Sequence, residues 1–369
     1  MNTSSTDHAP RIEINIAQIR RNWQALSSIA GRPLVPVLKA NAYGHGLRTL
    51  AEAAPFGRPP FLAVAQPDDA LSLRRWCATT EILCLGPVTG SQMMELASQG
   101  IMITVTSLPQ LRRWLHPGAQ ERPRAHLQLD TGLGRLGVRE VDISAVLDET
   151  RAAGAEFAGL LTHPASADDG DWVSVREELE SASQISARLR TASVLRGPDH
   201  FGATSCIVAG LETLGDIARC GIGLFGHLPG AAADGAALDV RSALRFLAQL
   251  VGVREVDAGE RIGYGGQVQL GSSGRVGIVN VGVAHGLSPG LAQGGNFAIG
   301  TVPLPILAIY LDYTLVDVSH VPVDEGDDVV VLDDAQNSPA SVARQAATLG
   351  VIVDHVLAPL SESIPRRTT

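Results

Sequence analysis

From residue 34 to residue 226 the chain repeats one pattern: a short apolar run, then a longer stretch of helical periodicity. The runs are LVPVLK (34–39), FLAVA (61–65), EILCLG (81–86), IMITVT (101–106), AHLQLD (125–130), FAGLLTH (157–163), FGATS (201–205) and CGIGLFG (220–226). Helical patterns fall between them, for example at 67–76, 90–99, 141–153 and 171–189. Strands that alternate with helices run parallel, because each helix carries the chain back to the edge where the next strand starts. Eight such units predict a closed (β/α)8 barrel, an α/β architecture. An open doubly wound sheet is the alternative. The lack of a strong dinucleotide fingerprint favours the barrel.

The pattern changes near residue 230. GAAADGAALDVRSA (230–243) is small, glycine- and alanine-rich, and reads as a linker. After it come the β-rich runs ALRFLAQLVGVREV, QVQLG, GRVGIVNVGVA, PLPILAIYLDYTLVDVSHV and DDVVVLDD, separated by glycine and proline without long helical spacers. That describes an antiparallel β domain. The expected division is a barrel over 11–232 and a mostly antiparallel β domain over 233–369, and 369 residues suit two domains. RIEINI (11–16) alternates like a strand ahead of the barrel and is a candidate to pair with the C-terminal domain.

Composition narrows the function classes. The net charge is −9 and no basic stripe stands out, so nucleic-acid binding has no electrostatic footing. No apolar run is long enough to span a bilayer. MNTSSTDHAPRIEIN lacks a basic segment followed by an apolar one, so no secretory leader is expected. Cys77, Cys84, Cys206 and Cys220 have no CxxC spacing and read as reduced thiols of a cytoplasmic protein.

In a barrel, reactive groups gather at the C-terminal ends of the strands. Lys39 ends the first apolar run, residues 131–135 follow the fifth, His163 ends the sixth, Ser205 ends the seventh and Arg219 precedes the eighth. A lysine in that place is either a surface lysine with its stem on apolar surface, or a Schiff-base lysine whose surroundings lower its pKa. Asn41, Tyr43, Gly44, His45 and Gly46 favour the second reading. They set small residues and polar side chains where a phosphate-bearing cofactor would lie.

VLKANAYGHG (37–46) resembles the pyridoxal-phosphate lysine motif of the alanine racemase family, of fold type III. Further segments agree in order: LQLDTGLGRLGV (127–138), LLTHPASADD (160–169), GATSCI (202–207), ARCGIGLFG (218–226) and GYGG (263–266). The resemblance runs from about residue 11 to about residue 365. It implies a pyridoxal 5′-phosphate-dependent amino-acid racemase with a small amino-acid substrate. It also implies a homodimer whose active sites are shared across the interface.

The resemblance implies two catalytic residues. Lys39 holds the cofactor and carries a proton on one face, and Tyr264, from the neighbouring subunit, carries it on the other. It places Arg219 at the pyridine nitrogen and His163 against the ring, hydrogen-bonding onward towards Arg219. Tyr43, Ser205, Gly221 and Ile222 hold the phosphate, and Leu85 with Val37 lines the cofactor. Arg135, Leu311 and Asp312 serve the substrate, Asp130 stands behind them, and Asp168 stands near the entrance. Read singly, most of these have plainer roles: a core histidine, an ordinary turn, a solvated carboxylate.

Several departures from the family pattern cluster. The family's YADGY segment reads VAHGL (283–287), which puts Val283 and His285 in place of polar residues. Its GRVxMDQ segment reads LAIYLDY (307–313), so an entrance arginine becomes Ala308. A terminal tyrosine corresponds to Thr368, and a lysine that many members carbamylate corresponds to Gln128. A wider, less polar entrance and a substrate other than alanine are expected. The alternatives are an aldolase or decarboxylase on the same fold, a non-catalytic pyridoxal-phosphate-binding protein, and a regulatory descendant.

Overall fold

The computed structural model describes residues 9–116, 122–230, 238–335 and 337–369. Half of the linker read at 230–243 lies outside them. Two compact units emerge. One is formed by Ile19–Ala42 and Leu50–Val240, the other by Met1–Gln18, Tyr43–Thr49 and Arg241–Thr369.

Strand β1 (Arg11–Ile14) precedes eight parallel strands: β2 (Leu34–Pro36), β3 (Leu62–Val64), β4 (Ile82–Cys84), β5 (Met102–Val105), β6 (Ala125–Gln128), β7 (Gly159–Leu161), β8 (Asp199–His200) and β9 (Ala218–Cys220). Strands β3 to β8 pair in sequence, and β2 pairs with β9. The Val37–Ala63 bridge links the β2 side to β3, and the Arg219 N–H donates to the Gly202 carbonyl on the β8 side. The ring is therefore closed, as an eightfold βαβ repeat requires. Helix Pro67–Trp76 shows why the intervening segments are helical. It has proline in its first turn, Asp68 and Asp69 at its positive end and Arg74 and Arg75 at its negative end, and it buries Ala70 and Leu73. Helix Trp172–Thr191 is capped by the Asp171 carboxylate, which accepts from the Ser174 N–H at 3.2 Å.

Two strand boundaries differ from the sequence reading. The seventh run was placed at 201–205, but β8 is Asp199–His200 and Thr204–Val208 is a helix. The eighth was placed at 220–226, but β9 ends at Cys220 and Ile222–Phe225 is a 3-10 turn. Apolar runs of this length do not distinguish a strand from a buried turn. Glycine decides here: a Cβ on Gly223 would stand 2.6 Å from the Thr204 methyl, so the chain can coil tightly there.

The second unit is a closed antiparallel ring. Its strands are β10 (Leu244–Val256), β11 (Arg261–Ile262), β12 (Val268–Gln269), β13 (Gly274–Val279), β14 (Asn296–Ile299), β15 (Val302–Ile309), β16 (Thr314–Asp317), β17 (Asp328–Leu332) and β18 (Arg366–Thr368). The order β10-β17-β14-β15-β16-β13 returns to β10, whose later half pairs with β13 beyond a bulge between Leu250 and Gly252. Strand β1 joins antiparallel to β10, and β18 joins parallel to β1. The ribbon β11–β12 projects the turn that carries Tyr264. Among the described residues no helix is long and apolar enough to cross a membrane. All four cysteines are free.

Candidate active site

In the barrel unit the conspicuous charge is Arg219, 5% exposed and lying inside β9 rather than ahead of it. Its guanidinium donates to the Thr162 carbonyl at 2.5 Å, to the His200 carbonyl, and to His200 Nδ1 at 2.9 Å. Because Nδ1 accepts, the His200 proton sits on Nε2, which meets His126 Nδ1 at 2.7 Å. His126 then carries its own proton on Nε2. Both rings are neutral. Burial drives His200 well below its usual pKa and His126 down to about 3, and the Arg219 charge pushes the same way. Burial also lowers Arg219 itself, to about 10, which leaves it charged at neutral pH.

His163, just past β7, is held at about 3 by burial first and then by the positive charges of Arg219, Arg135 and Lys39. All three cations act on His163 in the same direction. His163 was expected to hydrogen-bond onward towards Arg219. Instead His200, with Thr162, takes that guanidinium, and His163 meets it through charge. Sequence reasoning missed His200 and His126. The only signal was one histidine inside the strand-like run AHLQLD and another immediately ahead of FGATS.

Lys39 opens an unusual turn. Ala40, Asn41, Ala42 and Tyr43 all have left-handed backbone angles, with φ of 51, 52, 53 and 50°. Four such residues in succession are costly for L-amino acids, and backbone strain of this kind collects at functional sites. Lys39 and Tyr43, one turn apart, are assigned to different units. In the unit of Tyr43, the His45 Nδ1–H donates to the Tyr43 carbonyl at 2.9 Å, and Arg366 Nε donates to the Gly44 carbonyl at 3.0 Å.

The loop after β6 is built on its own backbone. The Asp130 carboxylate accepts from the Gly132 and Gly134 N–H groups at 3.2 and 3.0 Å. Gln128 donates to the Leu136 carbonyl at 3.0 Å, so it braces the residue beside Arg135 rather than Arg135 itself. Arg135 is exposed. Glu178, also missed in the sequence, ties two loops together by accepting from the Ala165 N–H and the Thr131 hydroxyl at 2.9 and 3.4 Å.

Ser205 lies in the helix Thr204–Val208, not at a strand end, and its hydroxyl donates to the Asp168 carboxylate. The Gly221 N–H donates to the Thr204 hydroxyl at 3.3 Å, and Ile222 opens the following turn. Leu85 packs on a buried cluster that includes Val35, Val37, Ala63 and Leu83.

The remaining residues belong to the antiparallel unit. Tyr264 is 80% exposed at the tip of the β11–β12 ribbon, with its ring edge-on to Tyr310 at 5.0 Å. Leu311 and Tyr313 are also exposed, and Asp312 bears on the His285 ring by raising its pKa against the stronger lowering by burial. The two rebuilt segments touch: the Val283 and Ala284 N–H groups donate to the Tyr310 and Leu311 carbonyls, both at 2.9 Å. Ala308 does not open an entrance in this unit. It is buried with Val256, Ile262, Val268 and Val276, on the face that alternation also gives to the buried Leu304 and Ile306. Thr368 is exposed on β18, opposite Ile14.

Known proteins share this whole plan. The model of the alanine racemase N-terminal domain matches residues 14–229, and that of the alanine racemase C-terminal domain matches residues 243–368. An alanine racemase of Sorangium cellulosum is 31% identical over 96% of this chain and 98% of its own length. Alanine racemase 2 of Caldanaerobacter subterraneus is 28% identical over 96% and 94%. The crystal structure of alanine racemase from D-cycloserine-producing Streptomyces lavendulae superposes with a TM-score of 0.92 at 26% identity, covering 100% of this chain and 98% of that one. With both domain models matched in order around a lysine-bearing barrel mouth and a tyrosine-bearing ribbon, the chain is an isomerase of the alanine racemase family.

Proposed function

We propose that the protein is a pyridoxal 5′-phosphate-dependent racemase that interconverts L- and D-amino acids, with Lys39 and Tyr264 as its two proton carriers. The observation that supports this most directly is positional: Lys39 lies just past β2, His163 just past β7 and Arg219 within β9 of one parallel barrel, and the charges of Arg219, Arg135 and Lys39 all lower the His163 pKa. The donor set fits the cofactor: a lysine for the covalent attachment, a buried guanidinium, hydroxyls on Thr204 and Ser205, and the Gly221 N–H. When bound, the cofactor draws electrons from the substrate α-carbon and so makes its hydrogen acidic.

Lys39 Nζ takes or returns that proton on one face, and the Tyr264 phenol does so on the other. Arg219 can donate to the pyridine nitrogen but cannot accept a proton, which keeps the electron sink modest and disfavours side reactions. Neutral His163 packs beside it without adding charge. Tyr264 comes from the partner subunit of a homodimer in this reading. The exposed Tyr264, Leu311 and Tyr313 supply an apolar surface of the kind interfaces cover. A proton carrier on each face is needed for racemisation and not for decarboxylation.

A second reading concerns the substrate. A cavity of about 440 Å³ beside Tyr264 is lined by Ile262, Tyr310, Tyr313 and Leu315. It has room for side chains larger than methyl, and a largely apolar lining excludes only weakly by size. The test incubates the protein and its Lys39→Ala variant with a panel of L-amino acids in deuterium oxide. Enantiomer formation and α-deuteration should advance together, and both should vanish with Lys39. Loss of CO2 in place of D-enantiomer would overturn racemisation. Exclusive turnover of alanine would overturn the broader substrate.

A further inference from the structure

Tyr264 stands on a turn that does little to fix its side chain. Gly263 before it has φ 82° and ψ 178°, and Gly265 and Gly266 after it both have φ 65°. Arg261 clamps the backbone of this turn, donating to the Gly265 and Gly266 carbonyls, both at 3.1 Å. The phenol itself projects into solvent and meets the ring of Tyr310 edge-on, at 5.0 Å and 80°.

Tyr310 is held far more firmly. Its N–H donates to the Tyr313 carbonyl at 2.7 Å, and its own carbonyl accepts from the Val283 N–H at 2.9 Å. Its ring packs against the buried cluster of Val256, Ile262, Val268 and Val276. Its hydroxyl is buried without a hydrogen-bond partner and fills the space where a side chain on residue 263 would begin, 2.3 Å from an ideal Cβ. Residue 263 is thus confined to glycine from two directions, by its backbone angles and by Tyr310. The unsatisfied hydroxyl is a cost that phenylalanine would avoid, so the ring rather than the hydroxyl is the useful part.

We propose that Tyr310 is a positioning residue for Tyr264: its anchored ring holds the neighbouring phenol in the orientation from which it exchanges a proton with the substrate. The proposal rests on the reading of Tyr264 as a proton carrier. An edge-to-face aromatic pair restricts the partner ring without covering its polar tip.

The test uses the full-length enzyme loaded with pyridoxal phosphate and three variants, Tyr310→Phe, Tyr310→Leu and Tyr310→Ala. Circular dichroism and cofactor absorbance verify that each is folded and loaded. The equilibrium constant of racemisation is unity, so kcat/KM must fall equally in the two directions. In Tyr310→Ala and Tyr310→Leu it should fall about tenfold. The discriminating readout is the α-deuterium isotope effect, which should rise only in the direction in which Tyr264 accepts the proton. Tyr310→Phe should keep wild-type kcat/KM within about twofold and melt no lower than wild type. A loss below about twofold in both truncations, or isotope effects altered alike in both directions, overturns the proposal. So does a Phe variant as impaired as the Ala variant, which would assign the effect to the hydroxyl. Tyr264→Phe separates the two readings: full activity in that variant removes Tyr264 as a proton carrier, whatever Tyr310 does.

Discussion

Arg219 is nearly sealed from water and keeps its charge because carbonyl oxygens of Thr162 and His200 accept its protons. The imidazoles around it yield instead. His126 and His163 titrate near 3 in the folded protein, against 6.5 for the free side chain. Between those values the unfolded chain binds protons that the folded chain refuses. Stability is therefore complete above about pH 6.5 and is lost as pH falls below it, by about 1.4 kcal/mol per pH unit for each such histidine. Urea midpoints at pH 7.5, 6 and 5 should decline in that order, and a His163→Gln variant should decline less steeply. A flat profile would contradict the neutral assignments. A second prediction concerns Asp168, whose carboxylate occupies the Ser205 hydroxyl. A phosphate binding near Ser205 must displace that bond and tolerate a like charge. Asp168→Asn should tighten cofactor binding about tenfold, since a hydrogen bond to a charged group contributes roughly 1.5–3 kcal/mol. Fluorescence titration of the apoenzyme with pyridoxal phosphate reads this directly, and an unchanged dissociation constant would refute it.

At the level of elements, the left-handed turn after Lys39 is the feature that periodicity could not foresee. Nothing in KANAY signals four successive positive φ angles. The lysine was legible from its place at the end of an apolar run, but its backbone was not. Ala40, exposed in that turn, offers a test. Ala40→Gly should raise stability by about 1 kcal/mol, because glycine adopts these angles without steric cost. It should also lower kcat, because the turn that aims Lys39 becomes more pliant. Thermal denaturation and initial rates measured together would check both. The barrel was readable because most of its strands lie in apolar runs separated by helical stretches. The last two strands were misplaced because a polar pair, Asp199–His200, forms β8 while FGATS leads into a helix. The Gln128 brace and the Glu178 tie escaped notice for a related reason. Each acts on a neighbour's backbone, and sequence spacing does not reveal carbonyl partners.

At the scale of the whole molecule, the proposed dimer makes the most exacting demand. Lys39 lies in the barrel unit and Tyr264 in the antiparallel unit. If each site draws its lysine from one subunit and its phenol from the other, two dead enzymes can rescue one another. Chains carrying Lys39→Ala and chains carrying Tyr264→Phe, dissociated together and reassembled, should recover about one quarter of wild-type activity. Half of the random dimers are mixed, and each mixed dimer holds one intact pair. No recovery, in a mixture shown by sedimentation to contain mixed dimers, would place both residues in a single subunit.

Strand β18 also dictates an order of assembly. Ile12 lies in register with Arg366, and the same arginine supplies the donor for the carbonyl of Gly44, 322 residues away. A chain emerging from the ribosome therefore carries its lysine-bearing turn for most of the time of synthesis without the guanidinium that secures the residues beyond it. Clipping or blocking the segment around Arg366 would free the Gly44 carbonyl at the other end of the sequence, although the cut itself falls in what looks like an ordinary edge strand.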